Sequence, residues 1–199
     1  MHPYAVDTDE RQRVFIFLAL VSVGLAWLSN WVLTTFHVTI PWYLEAPSVL
    51  SIYGILVWGF NQFVWRWRIF RFVQLVKTPD LSGAWEGYIE SSFYHYQQRQ
   101  HVTVKIQQTW TKMCIEFDTG KMGSRSHSQI AGILMDYPGG PLLSYNYLNE
   151  PQASATETMQ THRGTTVLNI RNNHLEGQYY SGRGRMSLGN IELRRTAIS

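Results

Sequence analysis

From Val14 to Phe36 the chain runs for 23 residues without a single charge. A helix rising about 1.5 Å per residue needs only about 20 to cross the hydrocarbon core of a bilayer, so this run is expected to be a transmembrane helix. A second uncharged run of 18 residues, Ser48 to Trp65, follows after a short interval and carries Asn61 and Gln62 near its end. Together the spans, about 14–36 and 48–65, predict a helical hairpin. A cleavable leader would be shorter, and small residues would follow it, whereas His37 to Trp42 is bulky.

The flanking charges orient the hairpin. Arg11 and Arg13 precede the first span, Arg66, Arg68, Arg71 and Lys77 follow the second, and the loop from His37 to Ala46 holds no Lys or Arg. The positive-inside bias then puts both ends in the cytoplasm. The membrane is expected to be crossed more than once. Six tryptophans, at 27, 31, 42, 58, 65 and 67, lie in or beside the spans, where indole rings anchor at the lipid interface. Among the polar residues of the spans, Ser29, Asn30, Asn61 and Gln62 are candidates for helix association, by packing within one hairpin or between copies.

After Pro79 the pattern changes to period-2 alternation with frequent glycine, which marks a domain boundary near residue 78. Residues 1–78 form the tail and hairpin and residues 79–199 a second domain. Eight strands are expected there, at about 84–92, 100–109, 112–119, 124–135, 141–149, 163–171, 174–181 and 185–195. The turns between them are short, as at Pro138-Gly139-Gly140 and Asn172-Asn173. Closure removes unpaired edges. The fold class is therefore a membrane-anchored all-β protein: two transmembrane helices followed by a small eight-stranded antiparallel barrel.

Alternation also proposes an interior. Trp85, Gly87, Ile89 and Ser91 share the inward face of the first of these strands, and Val102, Val104, Ile106 and Gln108 that of the second. In the fourth strand Ser124, Ser126 and Ser128 continue inward as Ile130, Gly132 and Leu134. Tyr145, Tyr147 and Asn149 follow, then Leu175, Gly177, Tyr179 and Ser181, and finally Arg185, Ser187, Gly189, Ile191 and Leu193. The interior would have an apolar floor and a mouth of hydroxyls, amides and aromatic rings, the outline of a ligand cavity. Gly87, Gly177 and Gly189 either leave room in it or relieve crowding between strands.

Catalytic patterns are missing: there is no Gly-x-Ser-x-Gly elbow, phosphate-binding loop, dinucleotide fingerprint or Cys-x-x-Cys pair. The histidines are dispersed and read as surface strand residues, so no metal is expected, and Glu86 and Glu90 alternate outward. Neither an enzyme nor a cofactor is indicated. With 17 Lys+Arg against 14 Asp+Glu, the net charge of +3 is too small for a binder of DNA or RNA polymers. Cys114 is the single cysteine, which excludes a disulfide scaffold. Aromatic rings, Ser, Asn, Gln and an arginine suit a flat anionic ligand such as a nucleotide; an anchored lipocalin-like protein for a lipid or another apolar molecule is the alternative.

Two spans followed by Leu81-x-Gly83-x-Trp85-x-Gly87, Gln108-x-Trp110, Ser124-x-Ser126-x-Ser128, Tyr145-x-Tyr147-x-Asn149-x-Pro151, Leu175-x-Gly177-x-Tyr179-Tyr180 and Gly189-x-Ile191-x-Leu193 resemble one known family. It comprises the two-transmembrane β-barrel effectors of bacterial CBASS antiphage systems, and the resemblance covers nearly the whole chain. It implies a cytoplasmic barrel sensing a cyclic dinucleotide made by a partner CD-NTase, a cGAS-like nucleotidyltransferase. It further implies homo-oligomerisation, disruption of the inner membrane and abortive infection. Inward alternation within the matching motifs gives Trp85, Gln108, Ser124, Ser126, Ser128, Tyr145, Tyr147, Asn149, Tyr179 and Arg185 as candidate ligand contacts.

Overall fold

The computed structural model describes residues 1–37, 42–119, 124–151, 160–182 and 186–196, with the side chains of 42–48 and 124 left aside. The chain divides into a helical unit, Thr8–Lys77, and a barrel unit made of Met1–Asp7 together with Thr78–Ser199. The first seven residues thus belong to the second domain, which the boundary expected near residue 78 does not anticipate.

In the helical unit, α1 spans Glu10–Thr35 and α2 Trp42–Gln62, and the two pack on each other. The buried residues of α1 are Glu10, Val14, Leu18 and Ser22, four apart and therefore on one face. The rest of α1 shows Ile16, Leu20, Val23, Trp27 and Trp31 outward, an apolar surface suited to lipid. Among the described residues, α1 is the helix long and apolar enough to cross a bilayer; the shorter apolar stretch of α2 is Val49–Gln62. Trp58 and Trp67 are exposed as well, but Trp65 is fully buried and is not a lipid-facing anchor. Ser29 satisfies its hydroxyl within α1, donating to the Leu25 carbonyl at 2.8 Å. Asn30 is exposed, and Asn61 and Gln62 are half-buried.

The barrel has nine strands, not eight: β1 His2–Val6, β2 Gly83–Ser91, β3 Arg99–Gln108, β4 Lys112–Asp118, β5 Ser124–Leu134, β6 Leu142–Pro151, β7 His162–Arg171, β8 His174–Ser181 and β9 Leu188–Arg195. They close in the order β1-β4-β3-β2-β9-β8-β7-β6-β5. Strands β2 to β9 match the expected eight within a few residues, and β2 pairs with β9 to close the wall. The unforeseen strand is β1. It lies antiparallel to β4 through His2↔Met113 and Pro3↔Lys112, and parallel to β5 through Tyr4↔Ala131, Ala5↔Gly132 and Val6↔Ile133. It fills a fork between β4 and β5, which among the described residues pair with each other at Glu116–Asp118 and Arg125–His127.

Inward faces follow the alternation on β2, β3 and β6. On β5 they do not, because the register shifts between Ser128 and Ile130. A bulge adds one residue and inverts everything after it. Ala131 and Ile133 are therefore buried, while Ile130 is 65% exposed and Leu134 39%. The expected inward set Ile130, Gly132 and Leu134 is the wrong face.

One end of the barrel is plugged. The Trp85 indole donates to the Leu81 carbonyl at 2.9 Å, and Gln108 accepts from the Leu81 amide at 2.7 Å. The other end of the Gln108 amide donates to the Tyr4 hydroxyl and the Pro79 carbonyl, each at 3.1 Å. Arg195 lies over the Trp85 ring, 5.1 Å from its centroid, and donates to the Asp80 and Ser82 carbonyls. Both connections to the helical unit, after Asp7 and before Thr78, leave the barrel at this plugged end.

Candidate functional site

The opposite end is hollow. A cavity opens there, with about 700 Å³ of empty space when the open solvent at its mouth is included. Its walls are rungs of cross-strand partners, which share a face because neighbouring strands keep register. At the mouth Ser126, Asn149 and His162 line up across β5, β6 and β7. The next rung places Tyr147 opposite Gly164, and Gly164 opposite Ser181. Below it, Tyr145, Thr166, Tyr179, Gly189 and Ser91 run in sequence across β6, β7, β8, β9 and β2. Ile89, Ile115, Phe117 and Ile191 supply the apolar surface.

Two glycines set the positions of two rings. A methyl on Gly164 would overlap the Tyr147 hydroxyl, and one on Gly189 would overlap the Tyr179 ring. Each tyrosine lies over a strand position that has no side chain, so it is held against the wall and leaves the lumen open. Gly87 and Gly177 do something else: a methyl there would strike the Glu192 and Val167 carbonyls, so these two relieve close strand approach.

The polar groups have defined roles. The Ser126 hydroxyl donates to Asn149 Oδ1 at 2.8 Å. His162 Nδ1 lies 2.9 Å from the Gln160 carbonyl; with its proton there, Nε2 is left as an acceptor. Tyr145 is buried and hydrogen-bonded with Thr166, its cross-strand neighbour. Burial pushes its phenol up to about 12, and the Thr166 bond opposes the shift. Among the described lining residues there is no Asp, Glu, Lys or Arg. Glu86 and Glu90 point outside, Glu90 accepting from Arg99 at 2.7 Å.

Of the residues expected from sequence, Ser126, Tyr145, Tyr147, Asn149 and Tyr179 come together in the lining. Trp85 and Gln108 do not; they build the plug. Ser128 is buried, but its hydroxyl accepts from the Ile115 amide at 2.9 Å and bonds His2 Nε2 at 2.7 Å, so it joins strands and is not a lining residue. The Ser124 side chain and all of Arg185 lie outside the described residues. Sequence reasoning missed Gln100, His162 and Thr166. Period-2 extension could have found them: Gln100 continues the Val102 face, and His162, Gly164 and Thr166 alternate along one strand. His162 is buried and lines the cavity, contrary to its expected place on the surface.

This cavity lies wholly inside the segment, residues 76–195, that matches the family model described as the Cap15 cyclic dinucleotide receptor domain. Residues 12–66 match a second model, the Cap15 TM helices. The chain belongs to the Cap15 family. CD-NTase-associated protein 15 of Staphylococcus schleiferi is 29% identical over 171 residues, covering 85% of this chain and 84% of the relative. CD-NTase-associated protein 15 of Yersinia aleksiciae is 29% identical over 190 residues, covering 92% and 84%. The Cap15 receptor domain accounts for β2 to β9, and the family membership expected from the ordered motifs stands. Neither matched segment includes β1.

Proposed function

We propose that this Cap15 chain is a non-catalytic CBASS effector whose barrel binds a cyclic dinucleotide from a CD-NTase. Binding drives homo-oligomerisation, and the helices then disrupt the inner membrane and abort infection. The observation that carries the reading is a cavity of nucleotide-binding character, with tyrosine walls and a polar rung, inside the segment that matches the receptor domain. Bases stack on aromatic rings by about 1–3 kcal/mol each, while Ser126, Asn149 and His162 offer donors and acceptors to base edges or ribose.

Chain connectivity supports a multi-pass anchor with a cytoplasmic barrel. Residues on both sides of the helical unit belong to one barrel, which favours helices that leave and return on the same side. Arg11, Arg13, Arg66, Arg68, Arg71 and Lys77 flank the spans at those two ends, a bias that supports a cytoplasmic side.

The test is titration of the full-length protein in detergent with cyclic di-AMP, cyclic di-GMP, cyclic UMP-AMP and oleate, followed by melting temperature and calorimetry. Saturable binding of one cyclic dinucleotide, lost in Tyr147→Ala and Asn149→Ala, is expected. Stabilisation by oleate with a flat response to the nucleotides would replace this reading with the lipid-binding one.

A further inference from the structure

We infer that β1 is the output strand of the receptor, relaying occupancy of the cavity to α1 through Ser128. The inference rests on the proposed function, because it concerns how a bound cyclic dinucleotide reaches the helices.

Three strands meet at one hydroxyl. Ser128, on β5, accepts from the Ile115 amide of β4 and bonds Nε2 of His2 on β1. The second His2 nitrogen lies 2.9 Å from the Pro3 carbonyl. With its proton on Nδ1, every donor at the junction has an acceptor. The junction adjoins the cavity wall: Ile115 and Phe117 of β4 and Ser126 of β5 line it, and Phe117 pairs directly with Ser126 across the short β4–β5 seam. A ligand pressing on that pair therefore acts on the seam whose far side holds β1. Beyond the junction β1 is tied down by Tyr4, whose hydroxyl donates to the Trp110 carbonyl at 3.0 Å, and by Asp7, which accepts from the Met135 amide at 2.7 Å. After Asp7 only Thr8 and Asp9 precede α1. Two residues span at most about 7 Å, too little to absorb a shift of the strand.

The fork supplies the two arrangements that a switch requires: β4 and β5 held by β1 in its observed place, or parted enough to displace it. A ligand favours the second only by binding it more tightly.

Two measurements on the full chain test this, with the cyclic dinucleotide that binds in the panel above as the probe. In the first, a six-residue Gly-Ser linker is inserted between Asp7 and Thr8, which leaves β1 in the barrel but breaks its connection to α1. Affinity within about two-fold of the parent and at least a ten-fold loss of dye leakage from vesicles are expected; where the parent leaks, leakage equal to the parent's overturns the relay. In the second, hydrogen exchange of the Tyr4–Val6 amides is followed as the nucleotide is added, with Ser128→Ala as comparison. Nucleotide-dependent exchange in the parent, absent in Ser128→Ala although nucleotide still binds, is expected; exchange unchanged in the parent overturns the relay. If exchange responds while the parent never leaks, the relay stands and membrane disruption falls. Leakage with silent β1 amides does the reverse.

Discussion

Gly164 and Gly189 hold the tyrosines of the cavity in place by having no side chain of their own. Alanine at either position meets a ring and also a carbonyl, Tyr180's or Glu90's. Overpacking of this kind costs about 1–3 kcal/mol and pushes the ring into the lumen. Gly164→Ala and Gly189→Ala are therefore expected to lower the melting temperature and to weaken nucleotide binding at least ten-fold, read by calorimetry. Tyr145 makes a pH prediction. Its folded pKa of about 12 exceeds the unfolded value of about 10. Its contribution is complete below about pH 10, where both states hold the proton, and is lost as pH rises toward about 12 and only the folded state keeps it. The loss amounts to about 3 kcal/mol at most, and urea melts at about pH 9 and about pH 11 should show it shrinking in Tyr145→Phe. Much of this residue-level picture was legible: five lining residues followed from alternation alone. Trp85, Gln108 and Ser128 share the inward face with them, but alternation reports the face and not the depth along the barrel axis. Depth depends on strand stagger, which pairing alone defines.

At the level of elements, eight strands could be read from turns and period-2 patterns, and two features could not. The bulge sits in Ser126-His127-Ser128-Gln129-Ile130, with neither glycine nor proline to mark it, and its cause is tertiary: β5 changes partner there, from β4 to β1. The pentapeptide His2–Val6 is short, carries Pro3 and pairs with strands far along the chain, so no local signal announces it. Its pairing is directly testable. A Cβ on Gly132 would stand 3.9 Å from that of Ala5, inside the range of about 3.5–4.5 Å for disulfides. Ala5→Cys with Gly132→Cys, in a Cys114→Ser background, should oxidise to an intramolecular bridge visible as a mobility shift. The bridge closes a long loop, so the oxidised protein should exceed the reduced one in stability by about 2–4 kcal/mol.

For the whole molecule, the barrel is built from both sides of the membrane unit. Deleting residues 2–7 should therefore destabilise the barrel as a large core truncation does, since Tyr4 is buried and hydrogen-bonds the plug; a loss of about 3–5 kcal/mol is expected in urea unfolding of the deletion variant. Cysteines placed one at a time at the exposed Ala5 and Arg194, in a Cys114→Ser background, should both resist a membrane-impermeant maleimide in intact cells and react after lysis if the proposed cytoplasmic barrel with an even number of crossings is right. The same architecture governs how the protein is made. Strand β1 is made before both helices, and its partners Met113 and Ala131 only after them. Domains generally fold as units during synthesis, but here β1 has to wait for barrel partners that are made after the helices. A domain fused ahead of β1 would burden that waiting strand, whereas one fused behind β9 would follow strands whose partners are already present.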